Sequence, residues 1–377
     1  CFRDEDLRAD RQPEFTQLDI EMSFVDEEDV FEVLELAIST AWSEAGFEGR
    51  IGTPFPRLTW AEAMARYGSD KPDVRFGLEL QDLTDAVRGT QFQVFARVAA
   101  SGGIVKGIRV PGGVDLTRGD IEGELTDLAR SSGARGLAYV WRREEGFDGL
   151  VARHLSADEL AEIGRITSAE PGDLVLMVAD RPPVVAAALG ALRLLLGRRR
   201  GLVDEERLAM LWVTEFPMFE LDGVTGRPTP LHHPFTMVVP EDVGLLDSGD
   251  PSDLIRIRSR AYDIVLNGRE IGSGSIRIHR PDVQRKVFAA IGLSGEEARR
   301  KFGFLLDAFE HGVPPHGGFA AGIDRLVMEG LREENIRDVI AFPKTQQAQE
   351  LMTDSPAAVE PEQLVDLGIA LRPAPPS

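Results

Sequence analysis

Residues 1–19 read CFRDEDLRADRQPEFTQLD, and residues 317–325 read GGFAAGIDR. In the first stretch Arg3, Asp4 and Glu5 precede a polar loop, and Arg11, Gln12, Phe15 and Asp19 follow it. In a strand–loop–strand unit Arg3 points from one strand onto the sheet surface, where a planar guanidinium can clamp a phosphate with two parallel bonds. The Phe15 ring offers a face for base stacking. The same residues also fit a charged β-hairpin with surface Arg–Asp pairs, which contribute little. In the second stretch the glycines let backbone approach a ligand closely. Arg325 falls in the first turn of a helix whose N-terminus favours anions. A plain Gly-rich turn, with Asp324 as an N-terminal acid, fits equally well.

Working outward, residues 14–25 alternate around Phe15, Leu18, Ile20 and Met22, which predicts a strand. Acids at 26–29 open a helix, where the dipole favours them. Val30, Val33, Leu34, Ala37, Ile38 and Ala41 carry that helix toward Gly46. Thr59 with Glu62 makes the capping-box pattern of a short helix through Tyr67. Residues 76–200 change character, with Gly-rich turns, a helix over 120–132, strands over 136–142 and 172–180, and a helix over 182–197. They read as a separate α+β insertion. Strands return from about 207. A helical run begins near Asp253 and carries into AYDIVLNG. Strands surround 270–278, then come a helix, a loop over 312–318, a helix over 323–331 and a Pro-rich tail. The fold class is α+β, with 1–75 and 201–377 as two parts of a core around the inserted 76–200.

The composition is globular: 377 residues, 43% hydrophobic and 28% charged. At roughly 150 residues per domain the length fits two or three domains. There are 63 acidic against 42 basic residues, a formal charge of −21. That balance argues against an indiscriminate nucleic-acid binder or a protein of anionic membranes, and leaves room for a local cationic site. A single cysteine, Cys1, excludes an intramolecular disulfide framework and a Cys-based zinc site. A reducing, cytoplasmic compartment is the simplest reading. The apolar run at 184–196 falls short of the ~20 residues of a membrane span. The chain opens on Cys1 with no cap or leader, so it is expected to be the C-terminal part of something longer.

Three further groups carry chemistry. Asp263 and Glu270 flank Asn267-Gly268, and two carboxylates across a tight hairpin can share a magnesium ion with phosphates. Two solvated acids fit that spacing as well. Arg277 follows on an alternating strand, placed for an acidic substrate group or for pairing with Asp263. His232 and His233 are adjacent on an extended segment, so they point in opposite directions and do not share one ligand. No third His or Cys lies at zinc spacing. A polar contact to substrate fits the pair better than a metal. Arg198, Arg199 and Arg200 fit a solvated helix C-terminus or a contact to a phosphate backbone.

Together these motifs resemble the class II aminoacyl-tRNA synthetases, with residues 3–19 like their motif 2 and residues 317–325 like their motif 3. The phrases YGSDKPD, HHPFT, AYDIVLNG, GSIRIH and NIRDVIAFPK resemble the bacterial aspartate–tRNA ligase family more narrowly. The resemblance implies an antiparallel-sheet catalytic core interrupted by that family's α+β insertion. It implies ATP-dependent activation of L-aspartate to aspartyl-adenylate and transfer to tRNA(Asp), by a cytoplasmic homodimer away from membranes, and it leaves open whether tRNA(Asn) is a further acceptor.

Residue by residue, it implies that Arg3 holds the ATP α-phosphate and the aspartate carboxylate region. Asp4, Glu5 and Gln12 belong to the ATP and acceptor-end site, and Phe15 stacks on adenine. Arg325 meets the γ-phosphate, and Gly322, Ile323 and Asp324 line the ATP site. Asp263 and Glu270 bind Mg2+ at the phosphates. His232 and Arg277 contact aspartate. The family's anticodon barrel, its motif 1 and a lysine loop before motif 2 are not in this sequence, so the chain alone is expected to be inactive or very weak. Two other readings stay open: a non-catalytic nucleotide- or tRNA-binding module, and a sibling asparagine or lysine ligase.

Overall fold

The computed structural model describes residues 1–4, 8–47 and 51–372. The strands are β1 (Gln17–Ser23), β2 (Arg57–Thr59), β3 (Gln81–Asp82), β4 (Ile104–Val110), β5 (Ala138–Arg143), β6 (Gly146–Asp148), β7 (Leu174–Asp180), β8 (Met210–Thr214), β9 (Phe219–Leu221), β10 (Pro228–Pro230), β11 (Ala261–Leu266), β12 (Arg269–Ile276) and β13 (His316–Gly322). The chain divides into two compact units: Cys1–Leu18 with Ala321–Ser377, and Asp19–Ala320.

Nearly all of a six-stranded sheet, in the order β1-β13-β12-β11-β8-β2, lies in the second unit. β11 is antiparallel to both β12 and β8, and β2 is parallel to β8. Alternation along the strands divides the residues between two faces. On one face Phe31, from the helix Glu27–Glu44, stacks on Trp212 at 4.0 Å and meets Tyr262 edge-on. Glu35 accepts the Trp212 indole N–H at 2.9 Å, which leaves that buried donor satisfied. The helix starts at Asp26, whose side chain accepts from the Glu28 amide while Asp29 accepts from the Asp26 amide. On the other face Leu211, Val213, Ala261 and Val265 pack with Ala63 of the helix Trp60–Tyr67. Thr59 and Glu62 cap that helix reciprocally, as their spacing predicts.

The same unit holds a five-stranded antiparallel sheet, β3-β4-β7-β5-β6. The helix Pro182–Arg199 covers one face through Val185, Leu189, Leu192 and Leu196. Phe95 and Ile163 cover the other, against Val105, Val140 and Met177. The helix Pro182–Arg199 also meets the end of Trp60–Tyr67. A Cβ on Gly190 would fall 2.8 Å from the Gly68 carbonyl oxygen, so only glycine permits this crossing. Arg199 pairs with Glu124 and Arg200 with Asp115.

In the first unit Phe2 bridges Glu14, the Arg3 amide donates to the Pro13 carbonyl, and the Arg8 and Arg11 backbones close the turn. The helix Ile323–Gly330 follows β13, and the Ile323 amide donates to Thr16 O at 2.9 Å. Among the described residues no helix is long and apolar enough to cross a membrane.

Two local expectations are corrected. The helix near Asp253 is only Pro251–Leu254, and AYDIVL is β11. All six residues of β11 are buried, Asp263 included, so no alternation of exposed polar and buried apolar residues marks it as a strand. The loop over 312–318 ends earlier, because β13 begins at His316. Gly317 and Gly318 serve close strand packing: a Cβ on Gly318 would lie 2.2 Å from the Ile20 carbonyl oxygen.

Candidate functional site

Two groups of site residues form, one in each unit. In the second unit the hairpin β11–β12 turns at Asn267 and Gly268, both with positive φ, as an Asn-Gly turn prefers. The Asn267 side chain accepts from the Ala209 amide at 3.0 Å and fixes the turn. Asp263 lies opposite Ser273, and Val265 lies opposite Glu270. The register shifts between Ile264 and Val265, so Ile271 is the extra residue of a bulge that returns Glu270 to the face carrying Asp263. The hairpin thus brings the two sequence-predicted carboxylates onto one face.

Asp263 is 4% exposed, and its Oδ1 has no hydrogen-bond partner. Burial, then the neighbouring Glu270 charge, pushes its pKa well above the usual carboxylate range. Lys71 Nζ lies 2.9 Å from Glu270 Oε2. Burial opposes the Lys71 charge, but Glu270, Asp70 and Asp263 outweigh it and raise its pKa. Burial lowers the His232 pKa against the opposing pull of Glu270 and Asp70, and its ring lies 5.0 Å from Phe216. Among the described residues no group of three His, Cys, Asp or Glu is arranged to hold a metal. An orphaned, buried carboxylate oxygen beside a second carboxylate still fits a hard divalent cation that completes its shell with phosphate and water oxygens.

Just past β12, Arg277 bridges the Thr236 backbone, touches His233 and lies 3.7 Å from Glu21. The 232–236 loop is held by Gln284, fully buried, whose Nε2 donates to Pro234 O at 2.8 Å. Burial, then Arg277 and His232, pulls the His233 pKa down to about 4. The two histidines therefore serve different neighbours. Asp70, Lys71 and Glu21 were not singled out from the sequence. The first two stand in the YGSDKPD phrase, and that phrase was the available signal.

In the first unit the Arg3 guanidinium lies 5.5 Å from the centroid of the Phe15 ring. Arg325 Nε donates to Asp10 O at 3.1 Å, which ties the helix Ile323–Gly330 to the 8–11 turn. Asp324 Oδ2 accepts from the Thr16 amide at 2.6 Å, and Gly322 is the residue before that helix. Gln12 is buried and makes a reciprocal pair with the Lys344 backbone: its Oε1 accepts from the amide at 2.7 Å, and its Nε2 donates to the carbonyl at 3.3 Å. Lys344 Nζ reaches Glu14 at 3.0 Å. Asp4 is exposed. Glu5 lies outside the described residues.

The family model described as tRNA synthetases class II (D, K and N) matches residues 1–346. An aspartate–tRNA ligase of Geobacillus kaustophilus is 52% identical over 373 residues, covering 98% of this chain and 62% of that protein. An aspartate–tRNA(Asp/Asn) ligase of Heliobacterium modesticaldum is 52% identical over 371 residues, covering 98% and 60%. The chain thus spans about three-fifths of the length of these curated relatives. Among solved structures, an aspartyl-tRNA synthetase of Entamoeba histolytica matches at 19% identity and a TM-score of 0.43, covering 93% of this chain and 47% of that one.

Proposed function

We propose, taking as premise that this chain belongs to the class II tRNA synthetase family (D, K and N), that the whole protein joins L-aspartate to tRNA in two steps. In the first, an aspartate carboxylate oxygen attacks the α-phosphorus of ATP, and pyrophosphate leaves as aspartyl-adenylate forms. In the second, a hydroxyl of the terminal tRNA ribose attacks the activated carbonyl, and AMP leaves. Neither step requires a side-chain nucleophile, so positioning and charge neutralisation supply the catalysis.

Arg277 is the observation that carries the choice of amino acid. It is a half-buried cation just past the end of β12, beside Glu21 and His233. A guanidinium there matches an acidic side chain with two bonds. It gives asparagine no charge to meet, and it repels lysine. The names of the relatives, aspartate–tRNA ligase and aspartate–tRNA(Asp/Asn) ligase, support the same substrate. They divide over the tRNA, so charging of tRNA(Asp) and tRNA(Asn) is a second readout. His232 completes the aspartate contacts in this reading.

In the ATP site Arg3 meets the α-phosphate and Arg325 the γ-phosphate. Phe15 carries the adenine, Gly322, Ile323 and Asp324 line the pocket, and Asp4, Glu5 and Gln12 border it. Asp263 and Glu270 would hold a magnesium ion, which would supply neutralisation of phosphate charge. The same reading makes the whole protein a cytoplasmic homodimer. The test is aspartate-dependent ATP–pyrophosphate exchange in the whole protein with Arg3→Ala or Arg325→Ala. Each should lose about 10²–10³-fold. Near-unchanged exchange in both variants contradicts the assignment, and ATP binding without exchange in the unmodified protein would favour a non-catalytic module.

A further inference from the structure

We infer that Lys71 is a resident counter-ion of the Asp263–Glu270 site, and that a divalent cation must displace its ammonium to bind there. This inference rests on the reading of those two carboxylates as cation ligands. Lys71 Nζ already occupies one side of the pair, 2.9 Å from Glu270 Oε2. Asp263 is buried with Oδ1 unpartnered, so the ammonium satisfies Glu270 and leaves an acceptor of the second carboxylate open. Lys71 brings a single charge to one carboxylate of the pair, whereas a divalent ion can meet oxygens of both.

The lysine is also placed to move while its backbone stays. Its loop is tethered downstream, where Asp73 holds Arg75 and both Asp73 O and Phe76 O accept from Arg193. The mobile part is the four-carbon stem, which carries a point charge without fork geometry. An ion entering between Asp263 and Glu270 expels the ammonium from Glu270 and leaves it for the anionic ligand of the same site. Cation and anionic substrate would then reinforce each other's binding through one side chain, a coupling that is reciprocal by thermodynamic necessity.

The test is direct Mn2+ binding, followed by electron paramagnetic resonance of the free ion, in the full-length protein without nucleotide. Lys71→Met should bind Mn2+ at least about tenfold tighter than the unmodified protein, since a like charge beside the site has been removed. Lys71→Arg, which keeps the charge, should stay as weak as the unmodified protein. Asp263→Asn in the Lys71→Met background should abolish the gain. Equal or weaker Mn2+ binding by Lys71→Met, with Asp263→Asn still reducing it, overturns the counter-ion inference and leaves the cation ligands standing. Binding that ignores Asp263→Asn, or no binding in any form, overturns the ligand reading and this inference with it.

Discussion

The guanidinium of Arg193 lies 4.0 Å from the centroid of the Phe76 ring and donates to the Phe76 carbonyl at 2.8 Å. The same nitrogen donates to the Asp73 carbonyl at 2.9 Å, and the Tyr67 ring is 4.9 Å away. Arg193 is 1% exposed, and burial pulls its pKa down to about 10. It belongs to the helix that covers the five-stranded sheet, so that helix fixes the turn carrying Asp70 and Lys71. Gly268, at the tip of the β11–β12 hairpin, packs on Asp73 from the other side, with room for a Cβ only 3.1 Å from Asp73 Cβ.

Replacing Arg193 by leucine strands two buried carbonyls, each of which loses a donor. The expected loss is about 2–4 kcal/mol, read as a lower denaturant midpoint. Hydrogen exchange should rise first in residues 68–76. Arg193→Lys should fall between, because an ammonium lacks the planar stack on Phe76. Unchanged protection of 68–76 in Arg193→Leu would remove this tether from the account.

His233 makes stability fall on the acid side of neutrality. The unfolded chain takes up a proton below 6.5, whereas the folded site refuses it until about 4. The folded pKa is depressed for a group that charges on protonation. Its contribution is therefore complete above pH 6.5 and is lost as pH falls from 6.5 to about 4. Allowing for partial exposure, the loss is about 2 kcal/mol. Thermal midpoints between pH 4 and 7 should drop less in His233→Gln than in the unmodified protein. A His233 imidazole that titrates near 6.5 by NMR contradicts this.

Gly318→Ala should destabilise by about 1–3 kcal/mol, since the new methyl would meet the Ile20 carbonyl oxygen and the Glu21 carboxylate. Gly223→Ala is the matched control, with nothing within 4 Å of its Cβ and no positive φ. Equal urea midpoints for the two variants would mean that β13 and the Ile20 backbone are not packed this closely.

Asp324 holds the Thr16 amide at 2.6 Å from the first turn of its helix. Asp324→Ala should weaken that anchorage by about 1–2 kcal/mol and speed exchange of the Thr16 amide. If that amide exchanges at the unmodified rate, Asp324 acts toward ligand rather than toward the chain.

Local signals were legible wherever one short segment carried them. The Thr59–Glu62 capping box, the acids opening Glu27–Glu44 and the Asn267-Gly268 hairpin all stand as their spacing predicts. The sequence of β11 reads as helix because burial on both faces erases its alternation, and that of β13 reads in part as loop because its glycines serve packing rather than turning. The site was legible as a set of residues but not as a set of contacts. Gln12 meets Lys344 across 332 residues, and Lys71 meets Glu270 from a loop whose phrase marked it without giving it a partner. Such pairings follow from topology, which no periodicity encodes.

The central claim is that the site selects an acidic amino acid for adenylation through Arg277. ATP–pyrophosphate exchange in the whole protein, run side by side with aspartate, asparagine and lysine, tests it most directly. The account predicts exchange with aspartate alone, and a loss of at least about 10²-fold in Arg277→Gln, as expected when a charged partner is left unpaired. Asparagine or lysine supporting exchange as well as aspartate, or an Arg277→Gln protein that keeps its aspartate rate, would contradict it.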